Sequence, residues 1–222
     1  MRSLLDKVGS SPAATRAMPF VVFVALTALQ GRLGASSAFW VYGCKTLVGL
    51  ALVLWMYSRV PEMRWAVSPQ AIGAGILVLA IWVGLDPYYP QYPSGTEAWN
   101  PHRQFPGSPA LAWGFVVLRL VGSTLIVPPL EEVFFRSFLY RYLIQPDFLA
   151  VPLRTFSWTA LLFTCGIFAA EHSQWLAGLF CGLIYQGLVL RKGRLGDAIT
   201  AHAITNFLLA LWVIYRGAWQ FW

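Results

Sequence analysis

Charge is scarce in this chain. Only 11% of its 222 residues are Asp, Glu, Lys or Arg, while 58% are hydrophobic, and mean hydropathy is +0.60. Soluble domains run to about 25% charged residues and 45–50% apolar ones. So little charge cannot cover so much apolar surface, which excludes a soluble globular fold and leaves lipid as the solvent for the excess. Cysteine is nearly missing too. Cys44, Cys165 and Cys181 lie apart in apolar runs without CxxC spacing, which predicts small buried hydrophobic side chains and says little about redox compartment. The nine acidic residues leave a net charge of +7. The bases sit mostly between apolar runs (Arg2, Lys7 and Arg16; Arg59 and Arg64; Arg191, Lys192 and Arg194). That is the pattern of topology signals and of contact with a lipid bilayer, not of a nucleic-acid stripe, so no nucleic-acid partner is expected.

What is present is apolar and aromatic. Eleven Trp suit the membrane–water interface. Apolar runs fall at 18–30, 37–57, 70–85, 109–127, 130–145, 156–171, 174–190 and 196–215, some shorter than the roughly 20 residues of a full span. The expected fold is an all-α membrane protein, a polytopic bundle of about eight transmembrane helices around an intramembrane polar cavity. Residues 1–222 form one membrane domain, with the catalytic part at about 109–215. The N-terminal segment reads as a cytoplasmic lead into a first span, because no small-residue cleavage pattern follows it. Residues 86–108, rich in Pro and Tyr, read as a surface loop.

Ionisable groups inside apolar runs are costly, which makes them functional candidates. The C-terminal half holds Arg119, Glu131, Glu132, Arg136, Arg141, Glu171, His172, Asp197 and His202, with Asn206 beside them; the N-terminal half offers only Lys45. In VPPLEEVFFR, Pro128 and Pro129 suit the first turn of a helix, which puts Glu131 and Glu132 where the helix dipole favours negative charge. Arg136 follows Glu132 by four residues and can pair with it. Glu131 points about 100° away around the helix, free to face a water. His172 ends an apolar helix one turn after Phe168, and could equally be a hydrogen-bonded structural residue. His202 and Asn206 share a helix face, as catalytic groups or as interhelical hydrogen-bond glue. Asp197 reads as a helix cap.

The patterns EExxxR (Glu131, Glu132, Arg136), FxxxH (Phe168, His172) and HxxxN (His202, Asn206), in this order on successive apolar helices, resemble the CAAX protease and bacteriocin-processing family, which includes the prenyl-protein endopeptidases. The resemblance spans about residues 109–215. It implies an intramembrane endopeptidase acting on a membrane-associated protein or peptide. Glu131 and His172 would activate water, His202 and Asn206 would hold the oxyanion, and Glu132, Arg136 and Phe168 would support them. No cofactor or metal is implied. In size and N-terminal layout the chain is similar to the exosortase-associated bacterial subgroup, which implies the bacterial inner (cytoplasmic) membrane. Two other readings remain. One is a zinc-dependent membrane hydrolase with Glu131, His172 and His202 as ligands, although no HExxH motif is present. The other is a non-enzymatic immunity or scaffold protein.

Topology sets two principles against each other. Seven spans gather most loop Lys and Arg on one side, as the positive-inside rule prefers. With residues 130–145 lying on one side, however, Glu131 and His172 fall at opposite faces of the membrane. Eight crossings reunite them, with both chain ends in the cytoplasm and Glu131 and His172 nearer the cytoplasmic face.

Overall fold

A computed structural model describes residues 9–34, 36–91 and 98–222. Local sequence signals start and stop its helices. Helix α1 (Pro12–Ala28) begins with Pro12 at its first position, and the Ser11 side chain accepts from Ala14 N. Helix α2 spans Ser37–Tyr57, and α3 spans Pro69–Leu85, where Ser68 and Pro69 repeat the same start. One long helix, α4, follows at Pro109–Ile144. Then come α5 (Trp158–Ala170), capped by Ser157, α6 (Trp175–Lys192) and α7 (Gly196–Arg216). Gly193 and Gly217 end the last two in the left-handed region, at φ 69° and 63°, where an L side chain would be strained.

The chain is inside out relative to a soluble protein. Leu47, Leu54, Val67 and Leu162 are exposed, while Glu132, Arg136, Asp197 and His202 are buried. Four helices (residues 37–57, 69–88, 109–144 and 196–216) are long and apolar enough to cross a membrane, and α1 and α5 are shorter apolar helices. The protein is therefore an all-α integral membrane bundle. Helix α3 lies against both α6 and α7. At Gly75 the approach to α7 is so close that a Cβ would stand 2.7 Å from the Ala201 carbonyl oxygen. Small residues let helix backbones meet in this way in lipid.

Several expectations are corrected. Pro128 and Pro129 do not start a helix, because the runs 109–127 and 130–145 join in α4, which is 36 residues long. Two wide π-turns, Gly122–Ile126 and Val133–Leu139, flank the proline pair. In the first, Val127 N–H reaches back to the Gly122 carbonyl, and the Ser123 carbonyl is left without an N–H from its own helix. Among the described residues the bundle is then made of seven helices of 13 to 36 residues, and residues 130–145 form no separate helix but the second part of α4. Cys44 is exposed rather than buried, on the lipid side of α2. Asp197 does not cap its own helix. It lies in the first turn of α7, accepts from Ser68 and pairs with Arg194.

The two ends of the bundle differ. At one end Glu62, between α2 and α3, pairs with Arg16 of α1 at 2.8 Å and with Arg141 of α4 at 3.0 Å, and accepts from the Ser137 hydroxyl. At the other end Trp99 packs on Phe39, Tyr42, Phe115 and Trp222. Trp99 is buried, so the described residues 98–108 are no plain surface loop, while residues 92–97 of that expected loop lie outside the described residues. The start of α1 and the C-terminal residues thus lie at opposite ends, not on one side as expected.

Candidate active site

Within this frame α4 carries Glu131 past its middle. At about 1.5 Å per residue it stands roughly 33 Å from the start of the helix and 20 Å from its end. Helix α5 is short, 13 residues, and its C-terminal end delivers His172 to the same depth of the bundle. The separation that argued against seven spans assumed a helix starting at residue 130, and the continuous helix removes it. Glu131, Phe168, His172, His202 and Asn206 line one cavity of about 220 Å³, together with Trp82, Tyr185 and Thr205.

Behind the cavity wall lies a chain of charged groups. Glu132 Oε2 is 3.2 Å from Arg136 Nε, which bears out the i,i+4 pairing. Glu132 Oε1 is 2.9 Å from His202 Nδ1. A carboxylate only accepts, so Nδ1 carries the hydrogen, and His202 Nε2 points toward Glu131 Oε2 at 3.9 Å. Both Glu132 and Arg136 are buried at 1% exposure or less, and neither lines the cavity. The Arg136 guanidinium lies 4.4 Å above the Phe168 ring, which gives Phe168 a physical role. Among the described residues the Arg136 nitrogens make no well-aligned hydrogen bond, so this pair is held by charge and by the ring below it.

His172 Nδ1 is 2.8 Å from the Phe168 carbonyl oxygen. The carbonyl can only accept, so Nδ1 is the donor, and in a neutral ring Nε2 is a bare lone pair. Asn206 Nδ2 donates to the Ser123 carbonyl at 2.9 Å, filling the acceptor that the π-turn and Pro128 leave open. One N–H of this amide is therefore structural, and the second remains.

Sequence reasoning overlooked several neighbours. Tyr185 stacks on His202, with ring centroids 5.3 Å apart, and its hydroxyl meets Thr205 Oγ1 at 2.7 Å. Trp82 sets its ring edge-on to His172 at 5.2 Å. Tyr185 is signalled by its position in GLFCGLIYQGLVL, where a polar-tipped ring needs a partner. Trp82 carries no such signal. Among the described residues no three His, Cys, Asp or Glu side chains converge as metal ligands.

A polytopic helical bundle with carboxylates, imidazoles and an amide around a buried cavity defines a membrane protein with a hydrolase-like centre. Residues 112–208 match the family described as type II CAAX prenyl endopeptidase, Rce1-like. The resemblance read from the three motifs is thereby borne out: this segment is similar to the CAAX prenyl endopeptidases, a family of membrane proteases, though the match does not reach the exosortase-associated subgroup. No curated protein and no solved structure matches the chain.

Proposed function

We propose that the protein is an intramembrane endopeptidase of the glutamate type, cleaving a peptide bond in a membrane-associated protein or peptide. The observation that carries this reading is one shared cavity. Glu131 and His172 face it with acceptor atoms, while Glu132 and Arg136 sit behind it and orient His202.

A water held between the Glu131 carboxylate and His172 Nε2 attacks the scissile carbonyl carbon, and its proton passes to Glu131. The carbonyl oxygen becomes an oxyanion. It accepts from His202 Nε2–H, with the ring as imidazolium, and from the remaining N–H of Asn206. With that imidazolium, the charges of Glu131, Glu132, Arg136 and His202 sum to zero, a balance suited to a centre removed from water. The tetrahedral species collapses, the C–N bond breaks, and Glu131 returns its proton to the leaving amine. The products are a carboxylic acid and an amine, which become a carboxylate and an ammonium when the acid gives the second proton of the water to the amine.

Orientation follows from charge. Arg16, Arg59, Arg64, Arg141, Arg154, Arg191, Lys192 and Arg194 gather at the end where α1 begins, against Arg32, Arg103 and Arg216 at the other. The positive-inside rule puts the first end in the cytoplasm. The cavity is bounded by Trp82, Leu209, Phe221 and Trp222, toward the second end. The site thus opens away from the cytoplasm, the reverse of the expected cytoplasmic depth, in a membrane such as the bacterial inner membrane.

The test is to compare protein termini in membranes of cells carrying the wild type or Glu131→Gln. The expected result is loss of at least one processed terminus, with purified Glu131→Gln cleaving that substrate about 10²–10⁴ times more slowly at unchanged expression. Wild-type processing in that variant would overturn the reading and favour a non-enzymatic role.

A further inference from the structure

Two cations lie outside the mechanism: Lys45 is buried and Arg119 is half-buried. Arg119 of α4 stands where the catalytic cavity meets an outer vestibule of about 620 Å³, and both spaces are bounded by Arg119 and Trp222. Its guanidinium carbon lies 4.6 Å from the Trp99 ring, 5.4 Å from Trp222 and 5.1 Å from Tyr42. Lys45 Nζ lies 4.8 Å from the same Tyr42 ring and donates to Thr27 Oγ1 at 3.0 Å. Among the described residues neither cation forms an ion pair, although the Glu131 carboxylate lies within electrostatic range of Lys45. Aromatic faces offset only part of the cost of holding two like charges at membrane depth. Two cations face one nearby carboxylate, Glu131, and this excess of positive charge is complementary to an anion that arrives from outside.

We propose that Arg119, backed by Lys45, is a substrate-binding subsite that takes a carboxylate of the peptide, main-chain or side-chain, and so sets which bond reaches Glu131. The proposal rests on the peptidase reading above. Arg119 and Glu131 are twelve residues apart on one helix, about 18 Å along its axis. An extended peptide covers about 3.3–3.6 Å per residue, which places the anchored carboxylate about five residues from the scissile bond. Arg119 positions the substrate and does not touch the reacting atoms.

The experiment measures binding, not turnover, and uses the full chain in lipid nanodiscs on a Glu131→Gln background. The probes are N-dodecanoyl-Ala-Ala-Leu as the free acid, its C-terminal amide, and N-dodecanoyl-Ala-Ala-Glu amide. We expect one or both carboxylate probes to bind at least tenfold tighter than the neutral amide, and the tighter of the two identifies main-chain or side-chain recognition. The preference should shrink in Arg119→Lys and vanish in Arg119→Gln. Equal binding of all three probes to the parent, or a full preference in a folded Arg119→Gln, would overturn the subsite. Should Arg119→Gln fail to fold, Lys45→Gln provides the second variant, in which the preference should fall several-fold, and an unchanged preference there counts against the proposal. Failure of the peptidase reading looks different: cleavage would survive Glu131→Gln while the carboxylate preference stayed intact.

Discussion

Asn206 shows at the residue scale how one side chain serves the fold and the proposed chemistry at once. Its amide fills the Ser123 carbonyl, 2.9 Å away on another helix, and keeps a second N–H for the oxyanion. Glue and catalysis were alternatives in the sequence, and the geometry lets one amide do both. Asn206→Ala should therefore fail twice. Leaving the Ser123 carbonyl unpaired costs about 1–3 kcal/mol of stability, and removing an oxyanion donor lowers the cleavage rate about 10²–10³-fold. Melting in detergent and turnover of an identified substrate would show both losses. Full activity at reduced stability would leave Asn206 with its structural role alone.

At the scale of elements, α4 organises the molecule. Its π-turns admit Pro128 and Pro129 without ending the helix, and they turn Glu131 to the cavity and Glu132 to Arg136 on adjacent positions. The end of α4 is fastened to α1 and to the α2–α3 connection by Glu62 with Arg16, Arg141 and Ser137. Burial raises the Glu62 carboxyl, but the Ser137 hydrogen bond and the Arg16 charge outweigh it and hold the group below its usual 4.5. A depressed carboxyl contributes stability above its unfolded value and loses it as pH falls through the folded one. Stability from this clasp should thus be full above about pH 5 and decline in more acidic solution. Glu62→Gln should cost about 1–3 kcal/mol at neutral pH and flatten that acid dependence, as read from melting temperatures between neutral and acidic pH. An unchanged acid profile in Glu62→Gln would remove the clasp as its source.

On the scale of the whole molecule, seven helices and the charge difference between the bundle ends agree on one orientation. Residues 9–16 should be cytoplasmic and residues 217–222 on the opposite side. Single cysteines placed at 10 and 218 in a variant lacking Cys44, probed with a membrane-impermeant maleimide on intact cells, should label only at 218. Labelling of both or of neither would mean that the chain ends share a side. The expected orientation also requires that substrate reach the cavity from outside the cytoplasm, past Arg119 and Trp222.

Much was legible in the sequence because lipid leaves few options: scarce charge, long apolar runs and full backbone satisfaction admit only a helical bundle. The three motifs marked Glu131, Glu132, Arg136, Phe168, His172, His202 and Asn206 because ionisable groups at membrane depth are rare enough to stand out one by one. Pairing at i,i+4 is local, so Glu132 with Arg136 could be read from spacing. Whether Pro128–Pro129 breaks or continues α4 could not, because that depends on Asn206, 83 residues away in sequence, supplying the hydrogen bond that the helix lacks. The hydrogen bond from His202 to Glu132, the stacking of Tyr185 and the empty-handed Arg119 are likewise relations between helices. Tertiary structure alone decided them, since periodicity places a side chain on a face but says nothing of which other face it meets.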